Sequence, residues 1–285
     1  MTVVATLGPK DTFSDMATRS YLARQNTQCR VTYYPTLKMA FSAIGNEADW
    51  GVLPIENLSE GYVQVVLDEL MATDLYIRDE ILLPIKFALV TNCSRLAEVR
   101  SLYVQFVAHG QCSEFIESLT GITIHNTQSN MLSLQALEES AEPAAAVIPH
   151  HVLKDWHHDC FSIDNVTDFA HNQTRFLVLG KEPQIIDPAL SYKTTLVVRD
   201  DHDKPGVLGS IVTAFSDRRI NMTSIMSRPT KSQLGKYHFF IDVEGHCEQA
   251  DIAAAIEQIN HQYRVKVLGS YQVAENKVQP VASTC

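Results

Sequence analysis

The chain has 285 residues, 45% of them hydrophobic and 20% charged, which fits two soluble globular domains. Its formal net charge is −10 with no offsetting run of Lys or Arg, which argues against nucleic acid or an anionic membrane as a partner. No segment approaches the roughly 20 apolar residues that span a bilayer, and the opening MTVVATLGPKD lacks the basic region and cleavage site of a signal peptide.

The apolar run 3–7 predicts a short buried strand, broken by Gly8-Pro9, with Asp11 or Thr12 capping a helix over 13–23. This start places backbone N–H groups and the hydroxyls of Thr12 and Ser14 at the mouth of a cleft, where they suit a carboxylate. There follow a helix over 36–46, a buried strand over 50–55 ending at Glu56-Asn57, a helix over 63–71 and a strand over 75–79. A second lobe is expected to start near Ile81. It holds the apolar runs 87–90 and 102–104, helices over 110–119 and 129–139, and strands over 122–124 and 144–148. The apolar run 176–179 closes this half. Strands alternating with helices predict α/β layers with parallel strands, and two such lobes bind ligand in the crevice between them.

Residues 183–191 read as a linker. The remainder is a compact βαββαβ pattern, with strands over 193–199, 220–227, 237–243 and 265–271 and helices over 206–217 and 250–259. The first of these helices puts Val207, Leu208, Ile211, Val212 and Phe215 on one face. The tail 274–285 reads as flexible.

Six cysteines (Cys29, Cys93, Cys112, Cys160, Cys247, Cys285) are scattered without CxxC spacing, which predicts free thiols in a cytoplasmic protein. His150-His151 and His157-His158, beside Asp159 and Cys160, form the densest histidine cluster. Neighbours in sequence point in different directions, so two such pairs do not make a ligand set and no metal is expected.

Three segments in order are Leu7-Gly8-Pro9-Lys10-Asp11-Thr12-Phe13-Ser14, Leu53-Pro54-Ile55-Glu56-Asn57 and Thr174-Arg175-Phe176. Together with the second α/β pattern they resemble the prephenate dehydratase family with a C-terminal ACT regulatory domain. The ACT parts are Asp203-Lys204-Pro205-Gly206-Val207-Leu208, Ile220-Asn221-Met222-Thr223 and Ser227-Arg228-Pro229. The resemblance spans about residues 3–272. It implies a two-lobed catalytic domain of the type II periplasmic-binding-protein kind over 1–182, with lobe 1 about 1–80 plus 165–182 and lobe 2 about 81–164. The βαββαβ ACT domain then occupies 192–273. It further implies prephenate as substrate, phenylpyruvate as product, no metal or organic cofactor, and phenylalanine as a candidate effector. Association as a homodimer or homotetramer through the ACT domains is also implied.

The dehydratase reaction expels carbon dioxide and hydroxide together, so it needs a donor where the hydroxyl leaves. In the family the Thr of Thr-Arg-Phe has that role, which the resemblance carries to Thr174, with Phe176 shaping the pocket. Arg175 has two readings, support of the site through charge-assisted contacts or a structural salt bridge at the strand entrance. Asn57, at a strand end, is placed to bond a substrate oxygen, whereas Glu56 reads as pinning a loop. Thr12 and Ser14 can cap the helix and still face substrate. Gln111 matches a family Gln. Gly206, Val207, Leu208, Asn221, Ser227 and Arg228 are the expected effector-binding residues.

Several positions depart from the family pattern. Asp11 replaces a Gly, Leu58 a Ser, Val66 a Thr and Phe87 a His. Val104-Gln105-Phe106-Val107 stands for Ser-His-Pro-Gln, Ser129-Asn130-Met131 for Ser-Thr-Ala, and Met226 for the Glu of Glu-Ser-Arg-Pro. Two other readings therefore stay open. One is a relative of the dehydratases, a non-aromatising prephenate decarboxylase that keeps the hydroxyl and protonates the ring. The other is a non-catalytic sensor of small anions or amino acids. Retained Thr174 places the dehydratase first.

Overall fold

Val4 and Ala5 are fully buried, so the opening apolar run becomes the central strand β1 (Thr2–Leu7). The computed structural model describes residues 1–25, 28–156, 160–183, 187, 190–199, 205–230 and 237–274. After β1 come α1 (Phe13–Gln25), β2 (Cys29–Tyr34), α2 (Leu37–Ala43), β3 (Trp50–Asn57), β4 (Gly61–Tyr62), α3 (Gln64–Ala72) and β5 (Tyr76–Pro84). The second lobe holds β6 (Phe87–Thr91), β7 (Ser101–Gln105), α4 (Phe106–Gln111), α5 (Ser113–Ser118), β8 (Thr123–Thr127), α6 (Asn130–Glu138), β9 (Ala144–Pro149) and β10 (Ser162–Ile163). The chain then returns to the first lobe as β11 (Gln173–Gly180).

The first sheet has the order β2-β1-β3-β11-β5 with β4 on β3, and the second β10-β6-β9-β7-β8. The returning strand β11 lies antiparallel between β3 and β5. Both sheets are mixed, not all parallel as expected: β6 is also antiparallel to β9 and β10. Alternation of strand and helix misses this because β11 arrives from the other lobe, with no crossover helix to force a parallel partner. The strand β2 was not expected. It lies at the sheet edge with half-buried residues, so it shows neither an apolar run nor clean alternation. Beyond Ile81, the expected start of the second lobe, β5 continues in the first sheet to Pro84. The helix expected over 110–119 starts earlier, at Phe106, and breaks at Cys112.

One apolar cluster runs through the hinge. It joins Val4, Val52, Ile81 and Phe176 of the first lobe to Phe87, Leu102, Val104 and Cys112 of the second. The lobes are therefore packed on one another at the base of the cleft.

The third unit comprises β12 (Tyr192–Arg199), α7 (Val207–Ser216), β13 (Met222–Pro229), β14 (Tyr237–Glu244), α8 (Ala250–Asn260) and β15 (Arg264–Gln272). Its antiparallel sheet has the order β13-β14-β12-β15. Leu196, Val198 and Ile241 on one face pack against Ile211 and Phe215 of α7 and Ile252 of α8. Val197, Phe240, Leu268 and Tyr271 on the other face join the lobe 1 cluster of Phe41, Leu70, Leu177 and Leu179. The approach is close at Gly269, where an added Cβ would lie 2.2 Å from the Ile77 carbonyl oxygen on β5. Among the described residues no helix is long and apolar enough to cross a membrane. The tail 275–285, Asp203-Lys204 and His157-His158-Asp159 lie outside the described residues.

Candidate active site

Strand pairing sets the centre of the site. Thr174 on β11 sits opposite Asn57 of β3 and Leu83 of β5, and only 9% of it is exposed. Asn57 Nδ2 donates to Thr174 Oγ1 at 2.8 Å and to the Gln173 carbonyl at 3.3 Å. Asn57 Oδ1 in turn accepts from Ser59 N, Ser59 Oγ and Glu60 N at 2.9, 2.7 and 3.1 Å. These bonds fix which end of the amide faces Thr174. The Thr174 oxygen is an acceptor here, and its own proton finds no acceptor among the described residues. Such a hydroxyl is left to donate, and the bond it accepts polarises it in that sense.

From the other lobe, Gln111 stands at the end of α4 and is 4% exposed. Asn172, just before β11, donates to Gln111 Oε1 at 2.7 Å. Sequence reasoning missed Asn172. The signal was its position two residues before Thr174, on a strand-entry segment that one lobe supplies to the other.

The turn between β1 and α1 packs against the second lobe. Asp11 has a φ of 64°, the left-handed region that favours glycine and that Asp tolerates better than most residues. This accounts for a family Gly at that position. Buried Asp15 holds the turn by accepting from Asp11 N at 2.9 Å, Arg19 Nε at 2.9 Å and Tyr33 OH at 2.6 Å. Thr12 acts as a cap: its hydroxyl donates to the Pro9 carbonyl at 2.9 Å and accepts from Asp15 N at 3.4 Å. Ser14 is buried, its carbonyl taken by Thr6 and Thr18. Phe13 packs edge-on against Phe87 and His151 of the second lobe at 5.2 and 5.8 Å between centroids. His151 Nε2 lies 3.1 Å from the Asp11 carbonyl, and burial pushes its pKa below the ordinary value, so the neutral ring donates there.

Arg175 faces away from Thr174, as alternate strand positions do. Its guanidinium bonds Glu80 at 2.8 Å, Asp242 at 2.7 Å and the Tyr271 hydroxyl at 2.7 Å, with Glu56 at 3.6 Å. Burial opposes its charge, but Tyr271, Asp242 and Glu80 outweigh burial and hold its pKa well above the ordinary value. Of the two readings of Arg175, the geometry is that of the salt bridge, and it does not place the residue on substrate. Phe176 is 1% exposed and backs the cleft from the core, not at its surface. The altered segment between β7 and α4 has a local role: Gln105 Oε1 caps α4 by accepting from Ala108 N at 2.9 Å. Phe106 beside it and Leu58 after β3 stand largely exposed, while Phe87 and Val66 are core residues.

The expected effector residues do not come together within one chain. Gly206 caps α7 at a φ of 94° that needs glycine, with Val207 buried and Leu208 exposed behind it. Asn221 bonds Glu244 at 2.9 Å beside the first residues of β13. Ser227 and Arg228 lie toward the other end, with Arg228 on Asp68 of α3 at 2.8 and 3.0 Å. Among the described residues no group of three His, Cys, Asp or Glu could hold a metal ion. His150 pairs with Asp164 while His151 turns to Asp11.

The class this defines is a two-lobed α/β domain with a Thr174–Asn57 pair at its hinge, carrying a four-stranded sheet with two helices on one face. Residues 4–184 match the family model for prephenate dehydratase and residues 198–261 that for the ACT domain. The chain belongs to the prephenate dehydratase family. It is 32% identical over 275 residues to a bifunctional chorismate mutase/prephenate dehydratase of Aquifex aeolicus, covering 95% of this chain and 74% of that one. It is 30% identical over 273 residues to a prephenate dehydratase of Methanocaldococcus jannaschii, covering 95% and 98%. Among solved structures it is similar to a prephenate dehydratase of Arthrobacter aurescens in complex with L-Phe. There the TM-score is 0.83 and the identity 26%, over 98% of this chain and 94% of that one.

Proposed function

We propose that this protein is a prephenate dehydratase, converting prephenate to phenylpyruvate, carbon dioxide and water on the way to phenylalanine. The observation that carries the reading is the Thr174 hydroxyl, buried at the hinge, accepting from Asn57 and left with a proton to donate. In the reaction the ring carboxylate leaves as carbon dioxide. Its bonding pair enters the ring, and the C4–OH bond breaks with its pair on oxygen. Negative charge develops on that oxygen, and a hydrogen bond from Thr174 stabilises it. The leaving hydroxide ends as water after taking a proton from solvent. Thr174 does not ionise, because aromatisation supplies the driving force. Gln111 Nε2 and the first-turn N–H groups of α1 are the donors that orient the anionic substrate.

The catalytic unit in this reading is 1–182 and the regulatory unit 192–273, in a cytoplasmic enzyme. The separation of Asn221 from Ser227 and Arg228 supports an effector site completed by a second copy, in a homodimer or homotetramer joined through the ACT domains. The L-Phe bound to the Arthrobacter aurescens relative makes phenylalanine the effector to test first.

A second reading, the non-aromatising decarboxylase, is favoured by the segment after β7. There the Gln105 side-chain Oε1 is taken up in capping and exposed Phe106 follows. Purified protein incubated with prephenate, with products resolved by NMR, decides. Phenylpyruvate above the spontaneous background, lost about 10²- to 10⁴-fold in Thr174→Ala, is the expected result. A decarboxylated product that keeps its hydroxyl and a non-aromatic ring would establish the second reading.

A further inference from the structure

We propose that Asn172 is a positioning residue of this active site. It holds the Gln111 carboxamide across the hinge, so that Gln111 presents Nε2, not Oε1, to the substrate. The proposal rests on the dehydratase reading above.

The backbone of Asn172 has no latitude. Its N–H donates to the Phe169 carbonyl at 3.1 Å and its carbonyl accepts from Ile85 N at 2.8 Å. The side chain is 3% exposed, and its Nδ2 donates to Gln111 Oε1 at 2.7 Å. Its Oδ1 is buried with no partner among the described residues. A buried carbonyl left unpaired costs about 1–3 kcal/mol, so a side chain serving stability alone would be expected to satisfy it. Among the described residues, the one side-chain bond of Asn172 goes to Gln111.

Gln111 is fixed from its own side as well. Its backbone carbonyl accepts from Asp168 N at 3.0 Å. Gly110 before it lets Glu60 of the first lobe approach: an added Cβ would lie 2.9 Å from Glu60 Oε1. With Oε1 taken by Asn172, the Gln111 amide cannot turn on its own without losing a buried bond. Its Nε2, with no acceptor among the described residues, is then the end left for a ligand. Two Asn amides thus flank Gln173. Asn57 orients the Thr174 hydroxyl, and Asn172 orients the Gln111 amide from the opposite lobe.

The test is a double-mutant cycle on the full chain, reading kcat/KM for prephenate. Asn172→Ala is expected to lower it about 10- to 100-fold, as misplaced donors do. In a Gln111→Ala background the same change is expected to cost less than about twofold, since the group it acts through is gone. Asn172→Asp keeps the volume but can only accept, so it turns the Gln111 carbonyl toward the cleft and should match the loss of Gln111→Ala. That variant carries the cycle if the alanine variant does not fold. An equal loss in both backgrounds, or full activity in Asn172→Asp, overturns the proposal while leaving the dehydratase reading in place. A wild-type chain that does not turn over prephenate overturns both.

Discussion

Asp79 lies on β5, and burial, only partly offset by a bond from Glu80 N and by Arg24, raises its carboxyl to about 6. Between the ordinary value near 4 and this raised one, the folded protein holds a proton that the unfolded chain has released. The sign follows: stability falls as pH rises through that window and stays lowered above it. Asp79→Asn keeps the acceptor for Glu80 N and removes the charge. It should be more stable than wild type by roughly 3 kcal/mol at pH 7.5, an advantage that shrinks as pH falls toward 4. Thermal melts at pH 7.5 and 5 check this, and an advantage independent of pH would contradict it. At the same scale, several site residues were open to reading from their motifs. Thr12 caps as expected, and Thr174 and Asn57 meet. Asn172 and Gln111 were not legible as a pair, because their bond joins residues 61 apart in sequence.

Elements meet most closely where β15 of the ACT sheet crosses β5 of the first lobe. Gly269 has no room for a side chain, since the Ile77 backbone carbonyl fills the space. Backbone cannot swing aside as a flexible side chain would. Gly269→Ala should therefore cost about 1–3 kcal/mol, read as a lower urea midpoint at unchanged slope. An alanine variant as stable as wild type would mean that the two sheets part there without penalty. Most elements with continuous apolar runs, such as β9, whose six residues are all buried, could be placed from sequence. The edge strand β2 could not, because a half-buried strand bonded on one side leaves no strong period.

Across the whole molecule, Arg175 joins β11 to the ACT sheet. One position from Thr174, it is held by Asp242 of β14 and Tyr271 of β15, while Lys193 of β12 holds Glu80 at 3.1 Å. Asp242 also accepts from the Thr195 hydroxyl at 2.5 Å. Arg228–Asp68, and the bonds of Tyr62 to Ser224 and of Lys266 to the Thr73 carbonyl, tie the same two units together. Asp242→Asn leaves a buried guanidinium short of one carboxylate and should destabilise the protein by about 3 kcal/mol. If phenylalanine acts through the ACT domain, this variant should also show a flatter response of turnover to phenylalanine than wild type. Differential scanning calorimetry and inhibition curves check the two parts, and an undiminished response would place the coupling elsewhere.

The α/β class, the order of the dehydratase and ACT segments and the family motifs were all legible in the chain itself. Each of these is written in local signals: apolar runs, turn residues and short motifs with fixed neighbours. Strand periodicity also says that Thr174 and Arg175 face opposite sides. Only the tertiary structure decided what lies on each side. The bond from Asn57 to Thr174 spans 117 residues, and that from Arg175 to Glu80 spans 95. Such pairings follow from the way β11 inserts between β3 and β5 and from how the ACT sheet covers the far face. Arg175 became a buried clamp, and not a substrate ligand, because the charges around it arrive from distant strands, and no local pattern encodes them.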